Sequence, residues 1–250
     1  MSNPYQAPLD VEQTLNQSDT SINYSTIEMD ELYRCRQAST FLLIALYTSL
    51  GLFIAGIYTG IFTADSASNI RESGVFLFIL IGLGAVGGIS SFIGNVMLMK
   101  SPQRSGAKEL FMFSFALGII ASVAPSLLSF MDVPIATSLI ATLILAILPL
   151  FCLILFLTAW GNLALFINSY AVYKRMKRAR TAFCCTLLLP LLGFILSKIP
   201  GLVGANNVLG ILLVSSVLLG AAISLIVFVI NYGNGLTCFR KAVYEIMLKN

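Results

Sequence analysis

The stretch PIATSLIATLILAILPLFCLILFLTAWGNLALFI, residues 134–167, decides the fold class because it contains no charged side chain. A helix crosses the hydrocarbon core of a bilayer, ~30 Å thick, in about 20 residues. The apolar residues are continuous rather than alternating, which favours a helix over the strands of a membrane barrel. The stretch predicts one long transmembrane helix, bent near Pro149, with its end near Trp160 at the membrane surface.

Five further apolar segments flank this stretch, at residues 39–63, 75–99, 110–131, 182–204 and 208–232. The chain is 58% hydrophobic and 10% charged, whereas soluble domains carry about 25% charged residues. The backbone of a membrane-spanning segment must satisfy its own hydrogen bonds, which helices do. The sequence therefore predicts an all-α integral membrane bundle of six transmembrane helices.

Lys and Arg residues fall in alternate gaps between these segments. The four basic regions are Arg34 and Arg36; Lys100, Arg104 and Lys108; Lys174, Arg175, Lys177, Arg178 and Arg180; and Arg240, Lys241 and Lys249. Only Arg71 and Lys198 lie elsewhere. Because basic loops stay in the cytoplasm, the pattern predicts both termini inside. Two crossings within residues 134–167 would break this alternation, so a single helix is preferred there.

Two regions follow from this division of the chain. Residues 1–38 form a polar cytoplasmic tail that is predicted to be largely disordered. Residues 39–250 form the transmembrane domain, with a short cytoplasmic C-terminal segment. Ser25 followed by Glu28 fits a capping box, which predicts a helix that starts near Ile27 and continues into the first span.

A weak internal repeat is the most specific motif. The dipeptide Gly-Asn ends each even-numbered span, at 94–95, 161–162 and 233–234, and the last two copies are followed by AVYKRM (171–176) and AVYEIM (242–247). This spacing suggests three hairpin repeats related by an axis along the membrane normal. Coincidence in an apolar sequence of low diversity is the alternative.

Two sets of polar residues are candidate sites. Asn95, Asn162 and Asn234 would form a polar ring at the cytoplasmic side if the threefold repeat holds; interhelical hydrogen bonding is the alternative. The second set is the basic run KRMKRAR, whose charges are Lys174, Arg175, Lys177, Arg178 and Arg180. This run could contact anionic lipid or serve only to fix the topology.

Five aromatic residues lie near the predicted cytoplasmic ends of the spans. They are Trp160, Tyr170, Tyr173, Tyr232 and Tyr244. Trp and Tyr are enriched where helices cross the membrane surface. The pattern predicts an aromatic belt on the cytoplasmic side.

Catalytic and metal-binding chemistry is scarce in this sequence. It has no His, which removes His-based acid–base catalysis and the usual zinc sites. No nucleotide-binding motif is present, and no ionisable residue falls near the centre of a span. We therefore predict no enzyme activity, no cofactor and no metal.

A non-enzymatic scaffold, assembly or lipid-contact protein is the leading functional prediction. An uncoupled channel or carrier for a neutral or lipid-like solute is the alternative. The expected partner is the bilayer itself, including anionic lipid at the cytoplasmic face, and a protein partner or homo-oligomer stays open. Nucleic acid is not expected, because the basic residues sit beside span ends.

The N-terminal sequence NPYQAP, residues 3–8, resembles the tag that opens many uncharacterised multi-span membrane proteins of planctomycete bacteria. The long fourth span that leads into a basic helical loop is similar to the layout of some of those proteins. The resemblance implies a bacterial cytoplasmic (inner) membrane protein and brings no activity or site residue with it.

Overall fold

The computed structural model describes residues 24–62, 74–130, 135–197 and 208–249, and their regular structure is entirely helical. The helices are α1 (Thr26–Phe62), α2 (Gly74–Leu98), α3 (Ala107–Phe130), α4 (Ile135–Phe166), α5 (Tyr170–Ser197) and α6 (Val208–Lys249). A short 3-10 turn, Gln103–Ser105, joins α2 to α3. The all-α class is thus confirmed, with one helix at each predicted segment. The NPYQAP sequence and most of the predicted tail lie outside the described residues.

Four stretches of the described chain are long and apolar enough to cross a membrane. They are Thr26–Ala55, Phe78–Leu98, Ile147–Phe166 and Leu212–Lys249. These stretches lie in α1, α2, α4 and α6 and make the chain a helical membrane protein. The charged residues of α1 all precede residue 37, and those of α6 all follow residue 239, so the apolar part of each helix points away from the charged end.

The first turn of α1 is capped as the sequence predicts. The backbone N–H of Ser25 donates to Glu28 Oε2 at 2.9 Å, and the N–H of Glu28 donates to Ser25 Oγ at 3.2 Å. This reciprocal pair satisfies two N–H groups that a helix start otherwise leaves without partners. α1 then continues through residue 38 without interruption, so residues 26–38 and the first apolar segment share one helix.

The helices pack most extensively as three antiparallel pairs, α1 with α2, α3 with α4, and α5 with α6. In the first pair, Gly94 lies against Leu42, and Gly84 lies against Leu52, farther along α1. The contacts of the other two pairs run in opposite chain directions in the same way. This pairing is what three hairpins require, while a rotational relation between the hairpins stays a prediction.

The interval from 135 to 166 is a single helix that contains Pro149, as predicted. Two other helices extend past the predicted spans. α5 begins at Tyr170, so the basic run forms its first turns. α6 continues to Lys249, so the C-terminal segment is a helical extension that packs against α1 and α5.

Large buried side chains concentrate where the helix ends carrying the basic residues meet. Trp160 is fully buried there, with its ring edge-on to Phe239 (centroids 4.9 Å apart) and to Phe111 (5.7 Å). We name this cluster the basic-end core; it also contains Leu32, Leu98, Leu157, Leu163, Val172, Met176, Leu236 and Val243.

The predicted aromatic belt is wrong for two of its members. Trp160 is fully buried and Tyr232 is 7% exposed, so neither side chain anchors the bundle at a lipid surface. The reason is that other rings surround them, since Trp160 contacts Phe111 of α3 and Phe239 of α6, and Tyr232 contacts Phe156 of α4. Tyr244 is exposed, with the Arg36 guanidinium 5.0 Å from its ring centroid.

Candidate functional site: an uncharged cleft beside a basic helix end

A cleft of about 760 Å³ separates the α1–α2 pair from the α3–α4 pair. It runs from Asn95 to Gly88 on α2, which corresponds to roughly 10 Å along a helix. We name it the interhairpin cleft. Its walls include Leu46 and Ser49 of α1, Gly88, Ser91, Phe92 and Asn95 of α2, Ser114, Phe115, Gly118 and Ser122 of α3, Pro149, Cys152 and Leu153 of α4, and Tyr232 of α6.

The cleft exists because α2 and α3 scarcely touch each other, although they are neighbours in sequence. Phe92 and Phe115 make a ring contact between these helices, with centroids 5.7 Å apart. Gly88 of α2 and Gly118 of α3 both line the cleft. A Cβ on either glycine would meet no atom within 4 Å. The two glycines therefore keep the space between the hairpins open.

The polar groups on the walls are tied to the backbone of their own helix pair. Asn95 Nδ2 donates to the Ser91 carbonyl oxygen at 2.8 Å, and Ser122 Oγ donates to the Gly118 carbonyl oxygen at 2.9 Å. Ser114 Oγ, which is buried, donates across to the Cys152 carbonyl oxygen of α4 at 2.8 Å. The last bond joins the two helices of one wall and fixes their register.

None of the described residues that line the cleft is Asp, Glu, Lys or Arg. Nowhere in the described chain do three or more Cys, Asp or Glu side chains come close enough to hold a metal ion. Pockets of about 300–1,000 Å³ with apolar walls and a few polar groups are typical of small-molecule sites. The arrangement suits an uncharged, largely apolar ligand.

The structure does not bring the three predicted asparagines together on this cleft. Asn95 lines it. Asn162 lies near the end of α4 and faces the link between α2 and α3, with its Nδ2 3.8 Å from the position a Cβ would take on Gly106. Asn234 is exposed on α6. Of the predicted ring, Asn95 alone is a residue of the candidate site.

The glycines of the same repeat share a structural role. Gly94, Gly161 and Gly233 are all buried, and each faces a side chain of a neighbouring helix. A Cβ on Gly94 would lie 3.0 Å from Leu42, and one on Gly233 would lie 3.3 Å from Leu46. The repeated dipeptide therefore marks places where helices approach closely, which small residues permit.

The five basic residues of the KRMKRAR run divide into two groups. Lys174, Lys177 and Arg178 are exposed on one face of α5, which leaves their charges accessible. Arg175 and Arg180 are half-buried, and Arg180 Nη1 donates to Thr158 Oγ1 of α4 at 3.2 Å. The opposite face of the same turns carries Val172, Met176 and Ala179, all fully buried in the basic end.

A second polar link ties the start of α1 to this end of the bundle. Arg104 Nη1, on the 3-10 turn after α2, lies 3.4 Å from Glu28 Oε1. The Tyr24 hydroxyl donates to the Phe166 carbonyl oxygen at 3.4 Å, and the two rings meet edge-on. These contacts place the start of α1, the α2–α3 link and the end of α4 at one end.

The interhairpin cleft was not predicted from the sequence. A signal was present on α3, where Ser114, Gly118 and Ser122 recur every four residues and so share one helix face. Such a stripe usually indicates close helix packing, so it does not by itself predict a cleft. Only the sparse contact between α2 and α3 turns this face into the wall of a cleft.

The chain matches no protein-family model, no curated protein and no solved structure.

Proposed function

We propose that this protein is a non-enzymatic lipid-contact protein, which binds the hydrocarbon chain of an uncharged membrane lipid in the interhairpin cleft. The observation that carries the proposal is an open cleft of about 760 Å³ without a charged side chain on its walls. A wet channel for ions would need polar or charged groups along its path. Here the residues that face the space are chiefly Leu, Phe, Ala, Ile and small hydroxyl side chains.

The proposal includes six membrane crossings with both termini in the cytoplasm. α3 and α5 supply the two crossings beyond the four apolar stretches. Support comes from Arg36, Arg104 and Arg180, which contact groups at one end of the bundle although they belong to three different basic regions. Basic residues gathered at one end match the positive-inside rule. A bacterial cytoplasmic membrane as the location rests on the resemblance at residues 3–8.

Anionic lipid at the cytoplasmic face is the second contact that we propose. Its residues are Lys174, Lys177 and Arg178, which are exposed on α5. Each basic side chain near such a surface contributes about 1 kcal/mol. The half-buried Arg180 contributes less in this proposal, because its guanidinium already bonds Thr158.

An uncoupled carrier of the same lipid is the alternative function. The observation that favours it is the loose α2–α3 contact, since hairpins that touch little can move apart at small cost. A lipid-contact protein binds the lipid without translocating it. A carrier moves the lipid from one leaflet to the other.

The test uses the full chain reconstituted in vesicles that contain a neutral lipid with a diazirine in its acyl chain. After photolysis, mass spectrometry maps the labelled residues. We expect labels on cleft walls such as Phe115 and Leu153. Gly88→Leu should reduce that labelling at least fivefold, because its side chain enters the cleft without meeting a nearby atom.

Gly82→Leu is the matched control on the same helix. A Cβ at Gly82 also meets nothing within 4 Å, and Gly82 does not line the cleft. Equal cleft labelling in both variants, or labels confined to outward residues such as Phe78, would contradict the proposal. Movement of a fluorescent analogue across the bilayer, lost in Gly88→Leu alone, would favour the carrier.

A further inference from the structure

We infer that the interhairpin cleft selects a lipid whose uncharged polar group donates a hydrogen bond, and that Asn95 Oδ1 receives it. This inference rests on the proposed function and names the class of lipid. A hydroxyl-bearing lipid, with one long chain and a free alcohol, is the simplest member of that class.

The side-chain amide of Asn95 has a fixed orientation. Its Nδ2 lies 2.8 Å from the Ser91 carbonyl oxygen and 3.4 Å from Ser91 Oγ. A carbonyl oxygen only accepts, so the nitrogen must face it and Oδ1 must point the other way. Asn95 lines the cleft and therefore offers an acceptor to its occupant.

Two wall hydroxyls also donate their hydrogen to a backbone carbonyl of the protein. The hydrogen of Ser114 is bound to the Cys152 carbonyl oxygen, and the hydrogen of Ser122 is bound to the Gly118 carbonyl oxygen. A hydroxyl that donates in this way keeps lone pairs for accepting. With Asn95, three wall groups have committed their donors to the protein and offer acceptors to a ligand.

The remaining hydroxyls, Ser49, Ser91 and Tyr232, can turn and so can donate or accept. These hydroxyls can bind a donor or an acceptor of the ligand, so they do not select between the two. A carboxylate or phosphate brings acceptors that face three fixed acceptors, and no Lys or Arg among the lining residues offsets its charge. Burying such a charge without a partner is costly, so anionic lipids are disfavoured.

Cationic groups are disfavoured by the same walls. An amine could donate to Asn95 Oδ1, but no Asp or Glu lines the cleft to balance its charge. A methyl ester or an ether lacks a donor and would leave the Asn95 acceptor without a partner. A neutral alcohol or amide meets both requirements, since it donates one bond and carries no charge.

The experiment compares three probes of equal chain length, each with a diazirine at the same carbon: a fatty alcohol, its methyl ester and the fatty acid at pH 8. Full-length protein in vesicles is photolysed with each probe, and labelling of the cleft walls is counted. We expect the alcohol to label the cleft at least fivefold more than either other probe. In Asn95→Leu this preference should fall below twofold.

Asn234→Leu is the control, because Asn234 is exposed and does not line the cleft. It should keep the preference for the alcohol. Equal labelling by all three probes, blocked by Gly88→Leu, would overturn this inference and leave the proposed function standing. Absence of cleft labelling by every probe would overturn the proposed function itself. A persistent preference in Asn95→Leu would assign the selection to other groups.

Discussion

The two halves of the bundle bury their apolar side chains differently. At the basic end, Trp160, Phe239 and Met176 are fully enclosed by protein. In the apolar half, which comprises residues 44–55 of α1, 78–92 of α2 and 212–230 of α6, large side chains point outward. Phe78 is 77% exposed and Leu219 is 63% exposed. The same chain thus carries a conventional core at one end and an outward apolar surface at the other.

The proposed membrane crossing explains this difference, with water around the basic end and lipid around the apolar half. Water drives apolar side chains together, so helix ends that project from a bilayer need a packed core. Within lipid this driving force between helices is absent, and close packing depends on small residues and shape. In this proposal, apolar side chains at the basic end are buried by protein, and those of the other half are covered by lipid.

The largest expected effect comes from removing the centre of the basic-end core. Trp160→Ala should lower the free energy of unfolding by about 3–5 kcal/mol, because it deletes a fully buried indole. Unfolding by denaturant in bicelles would measure the loss. Leu219→Ala in the apolar half should change the value by no more than about 0.5 kcal/mol. Similar losses of stability at both sites would contradict the proposed difference between the two halves.

A second prediction concerns the close approach of α1 and α2 at Gly94. Gly94→Val should destabilise the bundle by about 1–3 kcal/mol, since its Cβ would lie 3.0 Å from Leu42 and 3.3 Å from the Ala38 carbonyl oxygen. Gly82→Val, on the same helix, places its Cβ where no atom lies within 4 Å. Melting temperatures of the two variants in bicelles should differ, with only the first one lowered.

A third prediction concerns the contribution of the capping box to the stability of the first turn of α1. Ser25→Ala should cost about 1 kcal/mol, because the Glu28 N–H loses its acceptor. Hydrogen exchange of the first turn should rise, while exchange near Trp160 stays unchanged. Thr26→Ala, one residue later, is the control and should leave the first turn protected. Equal exchange in Ser25→Ala and wild type would refute the role of this cap.

The smallest effect is expected at the charged surface of α5. Lys177→Gln should weaken retention of anionic lipid by up to about 1 kcal/mol, or roughly fivefold. Arg180→Gln should have a smaller effect on that retention, because Arg180 bonds Thr158. Native mass spectrometry with anionic and neutral lipids would measure both. A larger loss from Arg180→Gln would place the lipid contact on the inner side of α5.

Much of the helical layout could be predicted from the sequence. Long apolar runs, the Ser25–Glu28 pair and the absence of charge around Pro149 each have a local physical meaning, and each matches a helix or its start. The extensions were harder. The first turns of α5 and the last turns of α6 carry charged residues, yet their other faces are buried through tertiary contacts that local composition does not reveal.

The candidate site was predictable only in part. Asn95 was singled out by the Gly-Asn repeat, but its companions Asn162 and Asn234 do not share its surroundings. A helix face is fixed by sequence spacing, whereas a cavity depends on which faces fail to meet. Trp160 shows the same limit, because an indole near a span end fits a membrane surface or a packed core equally well until the neighbouring helices are placed.

Cysteine accessibility in intact membranes tests the contrast between the halves most directly. Ile27→Cys and Leu248→Cys at the basic end, and Phe78→Cys and Leu219→Cys in the apolar half, would each be made in a background without the native cysteines. All four side chains are exposed on the protein itself, so only lipid can protect them. We predict that a membrane-impermeant thiol reagent labels the first two from the cytoplasmic side and the last two from neither side. Ready labelling of Leu219→Cys or Phe78→Cys in sealed vesicles would contradict the account.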